Sequence, residues 1–172
     1  MVFAAGFGKR MRPLTDARPK PLIEVAGSSM LDRALDHLQA AGVERAVVNT
    51  HHLAEQVAVH LEARQGGPQL SLSHEDPVLE TGGGVVQALP MLGEGPFLTI
   101  NGDVVWTDRG ESAVARLWGA FDPEDMDALL LLHPVERAVG YDGRGDFALE
   151  PGGQIFRPEE RDRPLVFTGL QV

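Results

Sequence analysis

Short apolar runs alternate with segments of helical periodicity through the first hundred residues, and each run gives way to glycine or polar residues on its carboxyl side. Residues 2–4 read as a short buried strand. Leu31, Ala34, Leu35, Leu38 and Ala41 fall at i, i+3, i+4, i+7 and i+10, one face of a helix. Ser28 or Ser29 can cap its start, and Gly42 is placed to end it. Residues 46–48 read as a buried strand, and Leu53, Val57, Ala58 and Leu61 as a second amphipathic helix. Residues 70–73 form a short alternating strand. A helix is predicted over 84–89, stopping at Pro90, and a strand over 97–100. The second half is less regular: a helix over 112–119, a strand over 128–132, and short strands over 147–149, 154–156 and 165–172. Continuous apolar strands alternating with helices imply an α/β architecture with a largely parallel sheet. Ligands of such sheets gather at the carboxyl ends of the strands. The segments 5–12, 74–84 and 101–108 each follow a predicted strand, so they are expected to converge on one rim.

Composition narrows the function. The chain has 172 residues, the size of one domain or of one large domain cut short. It carries 15 basic and 25 acidic side chains, a formal charge of −10, which opposes general binding to nucleic acid or anionic lipid. A local cluster of cations can still hold a small anion. Cysteine is absent, which excludes disulfide scaffolds, thiolate metal sites and cysteine nucleophiles. No apolar stretch nears the ~20 residues of a membrane span. No secretory leader is visible, so a cytoplasmic protein is the expectation. The sequence stops at Val172 inside an apolar run, and the fold is expected to continue past it.

Two basic segments stand out against the acidic background. In Ala4-Ala5-Gly6-Phe7-Gly8-Lys9-Arg10-Met11-Arg12, two glycines allow the backbone to turn its N–H groups onto a ligand, and three cations lie within four residues. That combination suits a polyphosphate. The spacing is neither G-x-G-x-x-G nor a Walker A loop, so neither a dinucleotide fold nor a P-loop ATPase is supported. In Arg18-Pro19-Lys20-Pro21-Leu22, prolines on both sides restrict the backbone and hold Lys20 as a rigid point charge.

Taken together these segments resemble the signature of the sugar-1-phosphate nucleotidyltransferases. The resemblance continues through Glu80-Thr81-Gly82-Gly83, Asn101-Gly102-Asp103, Gly143-Arg144-Gly145-Asp146-Phe147 and Phe167-Thr168-Gly169, and so covers essentially the whole chain. It implies a Rossmann-like three-layer α/β/α fold with a mixed, mostly parallel central sheet, here truncated at the C-terminus. It implies one domain over 1–172, with a nucleotide-binding half over 1–110 and a sugar-phosphate-binding half over 111–172. The implied reaction joins an NTP to a sugar 1-phosphate and releases pyrophosphate. A phosphate dianion is already a nucleophile, so positioning and charge neutralisation are required rather than a general base.

Residue roles follow from the resemblance position by position. Ala5, Gly6, Gly8 and Arg10 would hold the triphosphate, and Lys20 would contact the phosphates at the reacting centre. Asp103 would be a Mg²⁺ ligand, which suits an ion held by one or two carboxylates with phosphates and waters. Glu75, Glu80, Thr81 and Gly82 lie in the segment that resembles the base-recognition loop. A carboxylate at Glu75 can accept from uracil, thymine or guanine but opposes the N3 acceptor of cytosine, leaving UTP, dTTP and GTP open. Asn101, Gly145, Asp146 and Thr168 fall where the family contacts the sugar phosphate. Within the family, the segments around residues 80–84, 101–103 and 143–147 look most like bacterial uridylyltransferases of cell-wall recycling, which implies UTP and N-acetylmuramate 1-phosphate. Residues 156–161 lack the Glu-Lys-Pro segment of many relatives; Arg144 or Arg157 is a candidate for an acidic sugar substituent. The family's second metal aspartate would lie beyond Val172. Alternatives are dTTP with glucose 1-phosphate, GTP with mannose 1-phosphate, or a non-catalytic nucleotide-sugar-binding regulatory protein. His51 and His52 are expected in a loop, Trp106 and Trp118 at packing or rim positions, and residues 122–127 in a solvated turn.

Overall fold

A computed structural model describes residues 1–158 and 164–172. In chain order its elements are β1 (Val2–Phe3), β2 (Glu24–Val25), β3 (Ser28–Ser29), α1 (Met30–Ala40), β4 (Arg45–Thr50), α2 (Ala54–Ala63), β5 (Gln69–His74), α3 (Glu80–Leu92), β6 (Thr99–Asn101), α4 (Ala113–Ala120), β7 (Leu130–Pro134), β8 (Ala148–Leu149), β9 (Ile155–Phe156) and β10 (Leu165–Gln171). Six strands form the central sheet in the order β5-β4-β1-β6-β10-β7. β5, β4, β1 and β6 are parallel neighbours. β10 runs antiparallel to both β6 and β7. The sheet is therefore mixed and mostly parallel, as expected.

Alternation along the strands divides the core into two layers. Val2, Val48, Ile100 and Leu170 point to one face, where they pack with Leu31 and Leu35 of α1, Val57 and Leu61 of α2, and Val114 and Leu117 of α4. Met1 and Val47 point to the other face, with Phe3, and meet Val85, Ala88 and Leu92 of α3. Helices thus cover both sides of the sheet. Each fully buried leucine of the first face contributes about 1.5–3 kcal/mol, and α1 alone supplies three of them, Leu31, Leu35 and Leu38. Ser29 caps α1 by accepting the Asp32 N–H, and Gly42 follows the helix at φ 78°.

Three predicted elements differ most from the sequence expectation, which also lacked the short β2–β3 pair. α3 begins at Glu80, four residues before the predicted start, and carries Pro90 in its last turn. The carbonyl that Pro90 leaves unbonded belongs to exposed Val86, where water can satisfy it. β7 is shifted two residues toward the C-terminus because its bounds follow pairing with β10, which reaches Pro134 opposite Leu165. Of residues 97–100, only Thr99 and Ile100 lie within β6.

A polar clamp ties α1 to α2. The Asp32 carboxylate accepts from Ser29 Oγ at 2.7 Å, from Arg64 Nη1 at 2.8 Å and lies 2.8 Å from His60 Nε2. Burial alone would raise the Asp32 carboxyl; the hydrogen bonds from Ser29 and Arg64, with the charge and hydrogen bond of His60, outweigh it and hold it below the ordinary 3.8. A depressed folded-state value stabilises the fold above the unfolded value, and the contribution is lost as pH falls through the folded one. Asp32→Asn is expected to remove about 1–3 kcal/mol at neutral pH. The gap between wild type and variant in urea melts should be full above about pH 4 and close as the pH drops below 3.8. A gap that widens on acidification would refute the clamp.

Candidate active site

The four parallel strands end on one side of the sheet, and their carboxyl ends release the chain at Ala4, His51, Glu75 and Gly102. β10 runs the other way, so its first half also lies past the end of β6: Leu170 pairs with Ile100, which brings Gly169 beside Asn101. The segments 5–12 and 74–84 and the start of 101–108 accordingly meet on one rim, as the parallel topology requires, while Trp106 and Asp108 lie against His37 of α1.

Lys20 and Asp103 form the centre of this rim. Lys20 Nζ donates to Asp103 Oδ2 at 2.5 Å, and the two side chains are 27% and 29% exposed. Both reach solvent yet neutralise one another. Lys20 opens a single 3-10 turn over Lys20–Leu22, with Pro19 and Pro21 buried on either side of it. Asp103 follows Gly102, whose N–H donates to the Phe3 carbonyl at 3.0 Å. A Cβ at Gly102 would lie 2.8 Å from that same oxygen, so only glycine lets the turn close on β1.

The glycine loop wraps against the lysine. Gly8 stands at φ 63°, and a Cβ there would lie 2.8 Å from Thr15 Cγ2 and 3.0 Å from Lys20 Cβ. Thr15 is buried and its hydroxyl donates to the Gly8 carbonyl at 2.9 Å. Gly6 has open space where a Cβ would point, which leaves its backbone approachable. Arg10 sits exposed on a 3-10 turn over Lys9–Met11. Among the described residues it has no ion-pair partner, whereas Arg12 pairs with Asp16 at 3.2 Å and Lys9 lies 5.0 Å over the Phe7 ring. Gly8→Ala is expected to cost about 1–2 kcal/mol in backbone strain and to displace Lys20. Thermal melting together with turnover checks this, and an unchanged turnover would separate Gly8 from the lysine.

Glu75 departs from its expected place. Its side chain is 1% exposed, Oε1 accepts from Asn49 Nδ2 at 2.7 Å and Oε2 accepts the Leu79 N–H at 2.9 Å. The carboxylate therefore lies beneath the loop with both oxygens bonded to protein and offers no face to a base. Glu80, Thr81 and Gly82 are exposed at the start of α3. Glu80 holds φ 58°, an uncommon conformation for a residue with a Cβ. Leu79, at the N-cap, has no side-chain acceptor, so the first N–H groups of α3 lack a side-chain cap. A Cβ at Gly82 would meet open space. These amides suit an anionic or carbonyl acceptor.

The second-half residues frame the rim mostly through structural bonds. Asn101 fills the space left by Gly169 at φ 81°, where a Cβ would lie 2.5 Å from its side chain. Asp146 Oδ2 accepts the Phe167 N–H at 2.8 Å, and Thr168 donates its hydroxyl to the Leu131 carbonyl at 2.9 Å, both where β10 bulges away from β7. Gly145 stands at φ 87° against Pro164. Arg144 is exposed; Arg157 lies over the Phe147 ring at 5.1 Å and donates to the Asp146 carbonyl. Glu159, Glu160 and Arg161 of the segment 156–161 lie outside the described residues. Trp106 stacks on His37 at 4.2 Å, while Trp118 is exposed. Asp122 closes its turn by accepting the Glu124 N–H. Sequence reasoning passed over Asn49, a polar residue just past the apolar run 46–48, and read His51 as a plain loop residue although its Nδ1 lies 2.9 Å from the Glu75 carbonyl.

The rim offers a metal ion one carboxylate, Asp103, beside the Lys20 ammonium. Among the described residues no three His, Asp or Glu side chains gather as a cage. Asp103 alone, with an oxygen not engaged by Lys20, fits an ion that brings phosphate and water as its other ligands. Two further hollows lie elsewhere: one of about 640 Å³ beside Ser28, Asp32 and His60, and one of about 720 Å³ beside Leu38, Arg45 and Trp118. Neither is lined by Lys20 or Asp103. No described helix is long and apolar enough to cross a membrane.

Comparison with known proteins places the chain in a family. A family described as Nucleotidyl transferase matches residues 1–142. The chain is 44% identical to the N-acetylmuramate alpha-1-phosphate uridylyltransferase of Caulobacter vibrioides and 40% identical to that of Neisseria meningitidis serogroup B; each comparison spans all of this chain and 73% of the relative. Among solved structures, HddC from Yersinia pseudotuberculosis complexed with GMP-PN superposes with a TM-score of 0.78 at 19% identity, over 99% of this chain and 73% of that one. UDP-glucose pyrophosphorylase complexed with UDP-glucose gives 0.77 at 16% identity, with the same shares. These structures share the fold.

Proposed function

This chain belongs to the nucleotidyl transferase family, and we propose that it joins UTP to N-acetylmuramate 1-phosphate, forming the nucleotide sugar and releasing pyrophosphate. The observation that carries the reading is the Lys20–Asp103 pair at 2.5 Å on the rim where the glycine loop and the start of α3 meet. A cation and an anion that are partly open and, among the described residues, bonded through their side chains only to each other are poised to exchange partners. In the proposed reaction Lys20 turns from Asp103 to the phosphates. A phosphate oxygen of the sugar 1-phosphate attacks the α-phosphorus in line; the new P–O bond forms as the bond to the β-phosphate breaks, and pyrophosphate carries away the charge. Gly6 and Gly8 offer backbone to the triphosphate, Arg10 supplies a cation without an ion-pair partner among the described residues, and Ala5 lies between Ala4, where the loop begins, and Gly6. Glu80, Thr81 and Gly82 receive the nucleoside at the uncapped start of α3. Asn101, Gly145, Asp146 and Thr168 border the sugar phosphate. Asp103 would hold Mg²⁺ there, an ion that spreads the charge of the triphosphate.

On this reading residues 1–110 form the nucleotide half and 111–172 the sugar-phosphate half of one domain, acting in the cytoplasm on a step of cell-wall recycling. Uridylyl transfer to this sugar is favoured by the two relatives that match over the whole chain at 44% and 40% identity. Pyrophosphate release in the presence of Mg²⁺, measured over UTP, dTTP, GTP and CTP against N-acetylmuramate, glucose and mannose 1-phosphates, tests it. Release with UTP and N-acetylmuramate 1-phosphate is expected. Release with another pair alone would overturn the substrate assignment, and binding without release would favour a regulatory protein.

A further inference from the structure

A chain of three hydrogen bonds, two of them buried, links the two loops assigned to the nucleotide. The Ala4 N–H donates to Asn49 Oδ1 at 2.7 Å, Asn49 Nδ2 donates to Glu75 Oε1 at 2.7 Å, and the Leu79 N–H donates to Glu75 Oε2 at 2.9 Å. Asn49 is 4% and Glu75 1% exposed. The series starts at the first residue of the glycine loop, crosses the ends of β4 and β5, and finishes at the N-cap of α3. Its polarity is fixed from both ends. The Ala4 and Leu79 N–H groups can only donate, so the amide oxygen of Asn49 must face Ala4, its nitrogen must find an acceptor at position 75, and that side chain must offer a second acceptor to Leu79. Only a carboxylate at position 75 satisfies that pattern and still accepts from Leu79.

Two further contacts belong to the same arrangement. His51 places Nδ1 2.9 Å from the Glu75 carbonyl and packs its ring edgewise on Phe7 at the tip of the glycine loop, with centroids 5.2 Å apart. Gly84 in α3 leaves the room: a Cβ there would fall inside contact distance of Glu75 Oε1 and 3.1 Å from Asn49 Nδ2. The end of β4 therefore grips the triphosphate loop on one side and the base loop on the other.

We propose that Asn49 and Glu75 are positioning residues, a buried clip that fixes the distance between the triphosphate loop and the base loop, and so sets nucleotide affinity and base selectivity without touching the nucleotide. This rests on the proposed function. Two loops that grasp opposite ends of one ligand bind it well only when their spacing is set beforehand; otherwise ordering them draws on the binding energy. The residues assigned to the sugar phosphate, Asn101, Gly145, Asp146 and Thr168, make no hydrogen bond to the clip, so the clip should leave sugar-phosphate affinity unchanged.

The test exchanges the polarity of the clip. Asn49→Asp sets carboxylate oxygen against carboxylate oxygen. Glu75→Gln sets an amide nitrogen against one of two donors. The double variant N49D/E75Q completes every bond again: the new carboxylate accepts from Ala4 and from the new amide, and the amide oxygen accepts from Leu79. For the full chain we would measure Kd for UTP and CTP by calorimetry, and KM for each substrate. Each single variant is expected to raise the UTP Kd at least about tenfold and to narrow the UTP-to-CTP preference, the size of effect that follows a buried unpaired polar group. KM for the sugar phosphate should stay within about threefold and the double variant should regain the wild-type UTP Kd to within about threefold, the signature of coupled residues. If a single variant does not fold, the double variant decides alone, by regaining or failing to regain that Kd. Folded single variants with unchanged UTP affinity overturn the inference while leaving the function intact. A double variant no better than the worse single also overturns it and assigns Glu75 a direct role. A wild-type chain that binds no nucleotide overturns the functional reading, and this inference with it.

Discussion

Replacing Lys20 by alanine is expected to lower turnover by about 10²–10³-fold while the protein stays folded. Lys20 Nζ is the cation closest to Asp103, and its backbone is fixed by Pro19, Pro21 and the close approach of Gly8. The charge it presents is therefore preorganised, and the reaction does not have to order it. Its role in stability is small by comparison. The pair is about one quarter exposed on each side, so the aspartate left behind can be hydrated, and partly exposed ion pairs contribute about 0–1 kcal/mol. Steady-state kinetics beside a thermal melt separates the two effects. A variant with a native melt and near-native turnover would remove Lys20 from the mechanism. Lys20→Arg should recover only part of the loss, because a planar guanidinium cannot reproduce the place of a compact ammonium set 2.5 Å from Asp103 on a stem whose Cβ lies close to Gly8.

Asp103→Asn is the second large effect, again about 10²–10³-fold in turnover by the same electrostatic reasoning. The substitution keeps the shape and removes the charge. Gly102 and its bond to Phe3 hold the turn in place, so the fold should be unaffected. What changes is the response to Mg²⁺. Loss of the carboxylate should raise the ion concentration needed for half-maximal rate, whereas Lys20→Ala should leave that concentration near the wild-type value. An Asp103→Asn enzyme with a wild-type Mg²⁺ dependence would show that the ion binds elsewhere. The double variant should lose little more than the worse single, since the two residues face one reacting centre and act as a unit.

The strands and the rim were readable because burial on both faces of a parallel sheet leaves continuous apolar runs, and those runs end where glycine and charge begin. Ser29 and Gly42 marked α1 for the same local reason: a cap and a stop act within a few residues. The start of α3 was hidden. Glu80 enters the helix from φ 58° and Leu79 supplies no cap, so the usual signals are missing. Three consecutive glycines then mask the periodicity. Glu75 shows the harder limit. Nothing near it in sequence distinguishes it from Asp76, yet one side chain is buried and the other exposed. The difference is made by Asn49, 26 residues away on the neighbouring strand, and by space at Gly84. Pairings of that range are set by the register of β4 with β5, which a reading along the chain cannot supply. Thr168 and Asp146 illustrate the same point. Their places relative to one another are fixed by a bulge in β10 rather than by any motif.

The position of β10 bears on how the protein is made. It lies between β6 and β7, although it is synthesised after both. While a ribosome is translating residues 102–164, β6 has only β1 beside it, and its other edge presents unpaired N–H and C=O groups. Such an edge is a template for another nascent chain. The sheet closes only when residues 165–171 emerge and insert between two waiting strands. Docking of β7 and β10 onto the parallel strands is thus a late event in biogenesis. Chains stalled or cut anywhere between β6 and β10 should be the aggregation-prone species, and they should call for a chaperone that shields strand edges rather than helices.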